Sequence, residues 1–323
     1  IKKHLIRFLK NHRGKAGIVY CLSRKKVEEV AEFLKVNDVK AAPYHAGLDA
    51  SVRIKNQDDF LNEEVDVIVA TIAFGMGIDK PDVRFVVHYD VPKSLEGYYQ
   101  ETGRGGRDGI KSDCLMFYSH NDITKLDKFN KDKPVQERDN ARLLLQEMTS
   151  YAESAVCRRR QLLHYFGESF PVENCGMCDN CLHPNEKYHG EEFVKIALEA
   201  ALATEERFGM LHLVDVIKGT KSEYVTSYGH DQLEIFGIGN EETDVFWRSV
   251  IRQSLVNEFL EKDINQIGIL KLTDKGRGFL KDPYPVILFK NHDYDNLKYE
   301  DEEESEEAVM ATAYDEKLFD MLK

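Results

Sequence analysis

The sequence lacks a long apolar run, a signal-peptide pattern and an initiator methionine. Because a transmembrane helix needs about 20 mostly apolar residues, the first absence predicts that the chain does not span a membrane. The first residues, Ile1-Lys2-Lys3-His4, predict a fragment or a processed chain. No internal repeat is visible, and 323 residues with 42% apolar side chains are enough for two or three domains.

Basic residues are fewer than acidic residues. The chain has 44 Lys and Arg and 57 Asp and Glu, which gives a net charge of −13. By itself this balance favours an acidic protein without a polyanionic partner. However, residues 291–323 hold twelve acidic and three basic residues, a balance of −9, so residues 1–290 carry only −4. A nearly neutral body can still carry a basic groove, and both interpretations stay open.

Cysteine is scarce, but four of the six cysteines lie close together in the pattern C-x17-C-x2-C-x2-C. Without a secretory signal, such spacing predicts a metal site rather than disulfides. Four thiolates suit a tetrahedral, structural Zn²⁺ with no open coordination position. A [4Fe–4S] cluster is an alternative, as are cysteines without metal or in disulfides. The four predicted ligands are Cys157, Cys175, Cys178 and Cys181.

Residues 1–132 alternate short β-rich runs with amphipathic helical patterns. This alternation predicts an α/β fold in which helices cover both faces of a parallel sheet. The predicted strands are Gly17–Cys21, Lys40–His45, Asp66–Thr71, Arg84–Tyr89 and Asp113–Tyr118, and the predicted helices are Ser23–Val36, Ser51–Leu61, Ser94–Thr102 and Asn121–Phe129.

Three further regions follow this predicted sheet. Residues 133–188 are predicted to form a helical zinc-binding module, with one long helix from Val135 to Phe166 that carries Cys157. Residues 189–290 are predicted to form a winged-helix domain of several helices and a small hairpin. Residues 291–323 are predicted to be an acidic linker and the start of a truncated further domain. The predicted winged-helix elements are helices at Glu191–Glu206, Leu211–Lys218 and Thr243–Glu261 and strands around Gln266–Leu272 and Tyr284–Phe289.

Two segments carry the pattern of a phosphate site. Gln100–Gly109 reads QETGRGGRDG and holds Arg104 and Arg107, whose guanidinium groups can bind phosphate oxygens in a forked geometry. The alternative is a glycine-rich turn with solvated arginines. Thr71–Pro81 follows a predicted buried strand, at the position where ligand loops lie on open α/β sheets.

Taken together, these segments resemble the second RecA-like lobe of superfamily 2 helicases. The wording AFGMGIDKP followed by YYQETGRGGRDG is that of the RecQ family, and the segment around Cys157, CRRRQLLHYFG, is similar to it as well. The resemblance implies an ATP-dependent DNA helicase that moves 3′→5′ on single-stranded DNA. It further implies that Arg107 is the arginine finger, that Arg104 is its partner near the nucleotide, and that Asp79, Gly77 and Gln100 couple to the nucleotide.

Two groups of residues are predicted to contact DNA. By resemblance the first group is Ser23, Arg24, His45 and Thr71, although His45 is alternatively a satisfied histidine at a strand end. The second group is Lys218, Lys221 and Ser222, which bracket a turn before a helix and offer cations and N–H groups to phosphate. An exposed polar turn is the alternative for this group. Trp247 is predicted to be a core residue rather than a base-stacking platform.

The sequence contains no G-x-x-x-x-G-K-[ST] phosphate loop and no Asp-Glu-x-His segment. In this family both belong to the first lobe, which holds ATP and Mg²⁺. We therefore expect that the chain alone binds DNA but does not hydrolyse ATP. The expected partners are single-stranded and forked duplex DNA and the missing first RecA-like lobe, with the protein monomeric in a bacterial cytoplasm or a eukaryotic nucleus. The rival interpretations are a non-enzymatic DNA-binding or scaffold module and an RNA-directed helicase lobe.

Overall fold

A five-stranded, wholly parallel sheet forms the first part of the protein, as predicted. The computed structural model describes residues 1–75, 79–131, 133–263, 266 and 268–292. The strand order is β2-β3-β1-β4-β5. Every residue of the three central strands is buried, which explains their continuous apolar sequences. The strands are β1 Gly17–Tyr20, β2 Ala41–Tyr44, β3 Val67–Ala70, β4 Phe85–His88 and β5 Asp113–Met116.

Helices pack against this sheet at the predicted places, and one more precedes β1. Ser23 accepts a hydrogen bond from the backbone N–H of Lys26 and so begins the helix after β1. The additional helix buries Leu5 and Leu9, which are one helical turn apart and are the signal that predicts it. The helices are α1 Lys2–Lys10, α2 Arg24–Val36, α3 Ala50–Leu61, α4 Leu95–Thr102 and α5 His120–Asn130.

The single long helix predicted from Val135 to Phe166 is wrong, because the chain forms two helices there. They are α6 Val135–Glu153 and α7 Arg158–Tyr165, and α8 Asp179–Leu182 follows. The amide of Asn180 donates to the carbonyls of Ser154 (2.8 Å) and Val156 (2.7 Å), which holds the connection between α6 and α7 outside the helical conformation. Cys157 therefore stands at the N-terminus of α7 and not within a preceding helix.

A winged-helix arrangement follows, with a different hairpin from the predicted one. Leu260–Lys262 (β7), whose first two residues were predicted as the end of a helix, pairs antiparallel with Leu270–Leu272 (β8). Ile287–Phe289 (β9) pairs instead with Lys187–His189 (β6). An unpredicted helix, Asp274–Lys281 (α13), separates β8 from β9, and its two glycines concealed it. The other helices are α9 Glu191–Ala203, α10 Met210–Lys218, α11 Glu223–Ser227 and α12 Asp244–Val256.

Trp247 on α12 lies at the centre of the winged-helix core, as predicted. Its side chain is fully buried, and its indole N–H donates to the carbonyl of Gly239 at 2.8 Å. This hydrogen bond satisfies the one polar atom of the ring, and the ring has no free face for a nucleic-acid base.

Apolar and polar contacts join the sheet to the helices after it. Leu95 and Tyr98 of α4 share a buried cluster with Leu145, Met148 and Tyr151 of α6. Residues 1–292 form one compact unit, and residues 293–323, predicted as linker and further domain, lie outside the described residues. The predicted boundaries at 132/133 and 188/189 stay predictions. None of the described helices is both long and apolar enough to cross a membrane.

Two glycines on α13 provide a matched test of the winged-helix packing. A Cβ at Gly276 would lie 2.1 Å from the carbonyl oxygen of Phe259, whereas a Cβ at Gly278 would meet no atom within 4 Å. We expect Gly276→Ala to lower the free energy of unfolding by roughly 1–3 kcal/mol, because backbone must shift to admit the methyl group. Gly278→Ala should raise it by up to about 1 kcal/mol through helix propensity. Urea unfolding of both variants measures this difference, and equal effects would contradict the packing described.

Candidate nucleotide, DNA and zinc sites

The loop that carries the two arginines begins where α4 ends and is fixed to the segment that enters β4. The N–H of Gly106 donates to the carbonyl of Val83 at 2.9 Å. Gly106 has a φ of +65°, and a Cβ there would lie 2.4 Å from the carbonyl oxygen of Ile110. Glycine is therefore required at this turn. Arg84 adds an ion pair with Asp108 at 3.0 Å, so the arginine loop is held on both sides.

Arg104 and Arg107 both contact the loop that follows β3. Nη1 of Arg104 donates to the carbonyl of Gly75 at 2.6 Å, and Nη1 of Arg107 lies 3.0 Å from Oδ1 of Asp79. The structure thus brings together two segments that the sequence separates by about thirty residues. Gly77, predicted to couple to the nucleotide, lies outside the described residues, and Gln100 is exposed at the end of α4.

Neither arginine is buried against an internal acid. The Asp79 side chain is 86% exposed and that of Arg107 is 39% exposed, so their pair is a surface ion pair. Such pairs contribute about 0–1 kcal/mol, and a phosphate group can therefore replace Asp79 at little cost. Arg104 is half-buried, and its guanidinium donates to the backbone carbonyl of Gly75.

Three buried polar residues beneath the arginine loop were missed by sequence reasoning. Nε2 of His88 on β4 lies 2.6 Å from Oε2 of Glu101, which is one turn before Arg104 on α4. The ring of Tyr20 stacks on His88, and its hydroxyl donates to the carbonyl of Phe74 at 3.0 Å. Burial raises the pKa of Tyr20, and the nearby charge of Arg104 opposes this only partly, so the phenol keeps its proton and donates. The signal in the sequence is a histidine that ends an otherwise apolar strand.

The predicted DNA-contact residues Ser23, Arg24 and Thr71 follow the carboxyl ends of neighbouring strands, as expected for parallel strands. Ser23 and Arg24 are exposed at the start of α2. The guanidinium of Arg24 lies against Gly47, with Nη1 3.0 Å from the position that a Cβ would occupy. Thr71 is half-buried, and its hydroxyl accepts a hydrogen bond from the N–H of Ala73 at 3.4 Å.

His45 differs from this group, because the structure favours the alternative interpretation of a satisfied histidine. Its side chain is buried, with Nε2 3.1 Å from Oε1 of Glu28 and Nδ1 accepting from the N–H of Gly47 at 3.2 Å. Both ring nitrogens are therefore occupied. His45 shapes the turn beside Arg24 and does not present a polar atom to a ligand in this conformation.

The loop from Thr71 to Pro81 leads from the carboxyl end of β3 towards the amino end of β4. Its beginning is bonded to the end of β2, through the N–H of Thr71 and the carbonyl of Tyr44 at 3.2 Å. Its end is near the start of β4, where the carbonyl of Pro81 accepts a hydrogen bond from the backbone N–H of Asp108 at 3.2 Å. Arg104 contacts Gly75 in the first part of this loop, next to the Phe74 carbonyl that Tyr20 of β1 bonds, and Arg107 contacts Asp79 in its last part.

The second predicted DNA-contact group is only partly available. The ammonium of Lys218 is bonded to the carbonyls of Glu242 (2.5 Å) and Asn240 (3.3 Å), so it stabilises a neighbouring turn rather than projecting to solvent. The Ser222 hydroxyl oxygen accepts from the N–H of Val225 and caps α11, which has only five residues. Lys221 is exposed. Of the three residues predicted to bind phosphate at this turn, Lys221 is the one whose side chain is exposed.

The four clustered cysteines come together, with their sulfur atoms within 4.8 Å of one another. A tetrahedral ion with Zn–S bonds of about 2.3 Å requires sulfur–sulfur separations of about 3.8 Å, and Sγ of Cys175 and Sγ of Cys181 are 3.9 Å apart. A [4Fe–4S] cluster would hold the sulfurs farther apart, because each thiolate binds a different iron. The thiols therefore fit one ion.

Residues around the thiols hold the loop in place. Arg158 binds the carboxylate of Asp179 through Nε (3.0 Å) and Nη2 (2.9 Å), and its backbone N–H points to Sγ of Cys178 at 3.4 Å. Nη1 of the same side chain donates to the carbonyl of Ala152 at 3.1 Å. Such outer contacts orient metal ligands, so Arg158 acts inside the module. Arg159 is exposed, and Arg160 donates to the carbonyl of Val256 on α12 at 3.1 Å.

Comparison with known protein families agrees with this succession of sites. Three family profiles match in order: the helicase conserved C-terminal domain over residues 1–109, RecQ zinc-binding over residues 120–182 and the RQC domain over residues 184–296. The chain belongs to the RecQ family. Because the zinc-binding profile covers all four clustered cysteines, the ion of this RecQ chain is a structural Zn²⁺.

Curated relatives of this RecQ chain extend well beyond it. The ATP-dependent DNA helicase RecQ of Haemophilus influenzae is 40% identical over 88% of this chain and 46% of that protein. RecQ of Bacillus subtilis is 36% identical over 85% of this chain and 46% of its own length. The putative ATP-dependent RNA helicase R290 of Acanthamoeba polyphaga mimivirus is 34% identical over 84% of this chain and 52% of that protein. The chain spans about half the length of these relatives.

Metal analysis tests the zinc centre directly. We expect about one zinc per chain by elemental analysis, and we expect Cys178→Ser to lose the metal and lower the melting temperature, because a structural ion contributes folding free energy. Cys114→Ser is the matched control, since Cys114 lies on β5 outside the cluster and should leave the metal content unchanged. Bound iron in place of zinc, or full metal content in the Cys178 variant, would contradict the assignment.

Proposed function

We propose that this chain is the second motor lobe and DNA-binding region of an ATP-dependent 3′→5′ DNA helicase. In this proposal residues 1–132 form the lobe, residues 133–188 the zinc module and residues 189–290 the winged helix. ATP and Mg²⁺ bind only when a first RecA-like lobe supplies the phosphate loop, which the sequence of this chain does not contain. The chain alone binds DNA and does not hydrolyse ATP.

The observation that carries this proposal is the contact of Arg104 and Arg107 with the loop after β3. Both guanidinium groups lie at the surface of the lobe, and that of Arg107 pairs with an exposed carboxylate. Positive charge placed in this way can neutralise the transition state of phosphoryl transfer, an effect on the order of 10³–10⁵ in rate. Arg107 acts as the arginine finger and Arg104 as its anchored partner.

The same loop offers a route from the nucleotide to DNA. When Arg107 turns to a γ-phosphate, Asp79 loses its partner, and the loop that carries Asp79 continues back to Thr71 beside Ser23 and Arg24. Thr71 at its beginning is bonded to Tyr44 of β2, and Pro81 at its end is bonded to Asp108 of the arginine loop. Nucleotide state therefore biases the conformation of the loop that meets the DNA backbone, which is how Asp79 couples the two ligands.

DNA contacts in this proposal are mostly to the backbone. Ser23, Arg24 and Thr71 bind the translocating single strand, while the zinc module and winged helix, with Lys221, hold the duplex of a fork. Because these contacts are to phosphate, binding is salt-sensitive and largely independent of sequence. The protein acts as a monomer where chromosomal DNA lies, in a bacterial cytoplasm or a eukaryotic nucleus.

Two rival functions have specific support. A non-enzymatic DNA-binding or scaffold role agrees with the missing phosphate loop. An RNA-directed role agrees with the name of the mimivirus relative. The first predicts no ATP hydrolysis when a first lobe is supplied, and the second predicts preference for RNA.

Substitution of the arginine finger tests the motor assignment. In a longer protein that carries a phosphate-binding lobe, we expect Arg107→Ala to lower kcat for ATP hydrolysis by about a thousandfold or more, with DNA affinity within about twofold of the unaltered protein. Lys111→Ala is the control, because Lys111 is exposed on the same connection and pairs with Asp113. Hydrolysis near the unaltered rate in the Arg107 variant would remove the finger assignment.

Binding of the chain alone tests the nucleic-acid assignment. Fluorescence anisotropy with forked DNA, single-stranded DNA and matched RNA should show tighter binding to DNA. The affinity should fall steeply between low and physiological salt, with a slope that counts the neutralised phosphates. Preference for RNA would favour the RNA-directed rival, and salt-independent binding would contradict backbone recognition.

A further inference from the structure

A cavity between α6 and the winged helix is not part of the sites described above. It has a volume of about 710 Å³, within the usual range for small-molecule sites. Leucines of α6, among them Leu143, line one side of the cavity. Met210 and His212 of α10 and Tyr224 of α11 line the other side. We call it the α6–α10 cavity.

His212 carries an unsatisfied polar atom at this cavity. The residue is 94% buried and lines the cavity, and its Nδ1 is buried with no hydrogen-bond partner in the described part of the chain. Its Nε2 is already engaged, 2.7 Å from Nδ1 of His230. A buried polar atom without a partner costs free energy. Nδ1 is closed off by its neighbours in this structure, so a ligand removes this cost when those side chains move enough to admit it.

The imidazole of His212 is neutral near physiological pH. Burial and, to a smaller extent, the charge of His230 together lower the pKa of His212 to about 4. The cavity therefore offers a neutral donor or acceptor and not a cation. A ligand group that bonds here is polar but uncharged.

Tyr224 adds an aromatic face to the same cavity. Its side chain is 56% exposed although it belongs to a cluster of rings with Phe208, His212 and Tyr228. Phe208 is stacked on His212 at 4.1 Å, so the rings behind Tyr224 are packed. An exposed, supported ring of this kind binds flat ligands by stacking.

The cavity lining holds more acidic than basic side chains, because Asp215 lines it and forms no ion pair among the described residues. Lys262 pairs with Glu147 at 2.7 Å, and Lys271 pairs with Asp263 at 2.5 Å. The side chains of Asn140 and Gln146 also line the cavity and are neutral amides, which suit the edge of a base. The cavity therefore matches a flat, uncharged ring with a polar edge, and any phosphate attached to it would stay outside.

We propose that the α6–α10 cavity binds one unpaired nucleobase, which stacks on Tyr224 and forms a hydrogen bond with Nδ1 of His212. The base comes from a DNA strand that leaves the duplex beside the winged helix. This choice of source rests on the proposed function, whereas the cavity itself is observed in the structure. A free nucleotide presents the same chemistry, so the experiment includes both sources.

Three single substitutions separate stacking and edge recognition from general effects. Anisotropy with labelled oligothymidylate should show affinity about tenfold lower for Tyr224→Ala and about fivefold lower for His212→Phe, which keeps a ring beside Phe208 but removes the polar atom. Tyr228→Ala is the control, because Tyr228 is 51% exposed in the same ring cluster but does not line the cavity. It should bind within twofold of the unaltered chain, and melting temperatures verify that all three variants fold.

Equal affinities for the Tyr224 and Tyr228 variants, or an unchanged His212→Phe variant, would overturn the proposal. Titration of the unaltered chain with thymidine monophosphate, followed by the NMR signals of His212, tests the second source. A shift of these signals that Tyr224→Ala abolishes supports the cavity as a nucleobase site even if the chain binds no DNA strand. The nucleobase site is ruled out if thymidine monophosphate does not shift the His212 signals and Tyr224→Ala does not weaken strand binding. If strands bind equally well to all variants, this inference fails and the proposed function does not.

Discussion

The positions of Arg104 and Arg107 depend on one set of contacts, those between the arginine loop and the loop after β3. Each arginine contacts a different residue of that second loop, Gly75 and Asp79. The arginine loop is in turn bonded to the segment before β4, and α4 holds its start through Glu101 and His88. Hydrogen bonds therefore join the arginine loop to the sheet, to α4 and to the described parts of the loop after β3.

The zinc centre has the corresponding role for the second half of the chain. Its four thiols draw the start of α7 and the segment around α8 to one point. Arg158 and Asn180 bind that loop back to the end of α6, and Arg160 reaches α12. α6 also packs against α4 in one buried cluster. These two helices therefore connect the zinc module to the arginine loop. The loop that carries the metal ligands is therefore joined by hydrogen bonds to α6 and, through Arg160, to α12 of the winged helix.

Sequence reasoning predicted the features with strong local signals. The apolar strands, the Ser23 cap, the cysteine spacing and the core position of Trp247 each follow from one property of a few neighbouring residues. It failed where distant residues decide the outcome. The break between α6 and α7 depends on Asn180, about twenty-five residues later, and the pairing of β9 with β6 joins the two ends of the winged helix. The contacts of Lys218 with the backbone carbonyl of Glu242 and of His45 with the carboxylate of Glu28 have no local signature either, and the DNA contacts of both residues stay predictions.

The central claim is that Arg107 exchanges Asp79 for the terminal phosphate of a nucleotide held by another lobe. The most direct measurement is a structure of this chain together with a first lobe, Mg²⁺ and a transition-state analogue of ATP hydrolysis. The account predicts that the guanidinium of Arg107 lies within hydrogen-bond distance of the phosphate analogue and has left Asp79, while Arg104 still contacts the loop after β3. A closed, occupied nucleotide site in which Arg107 remains paired with Asp79 would contradict it.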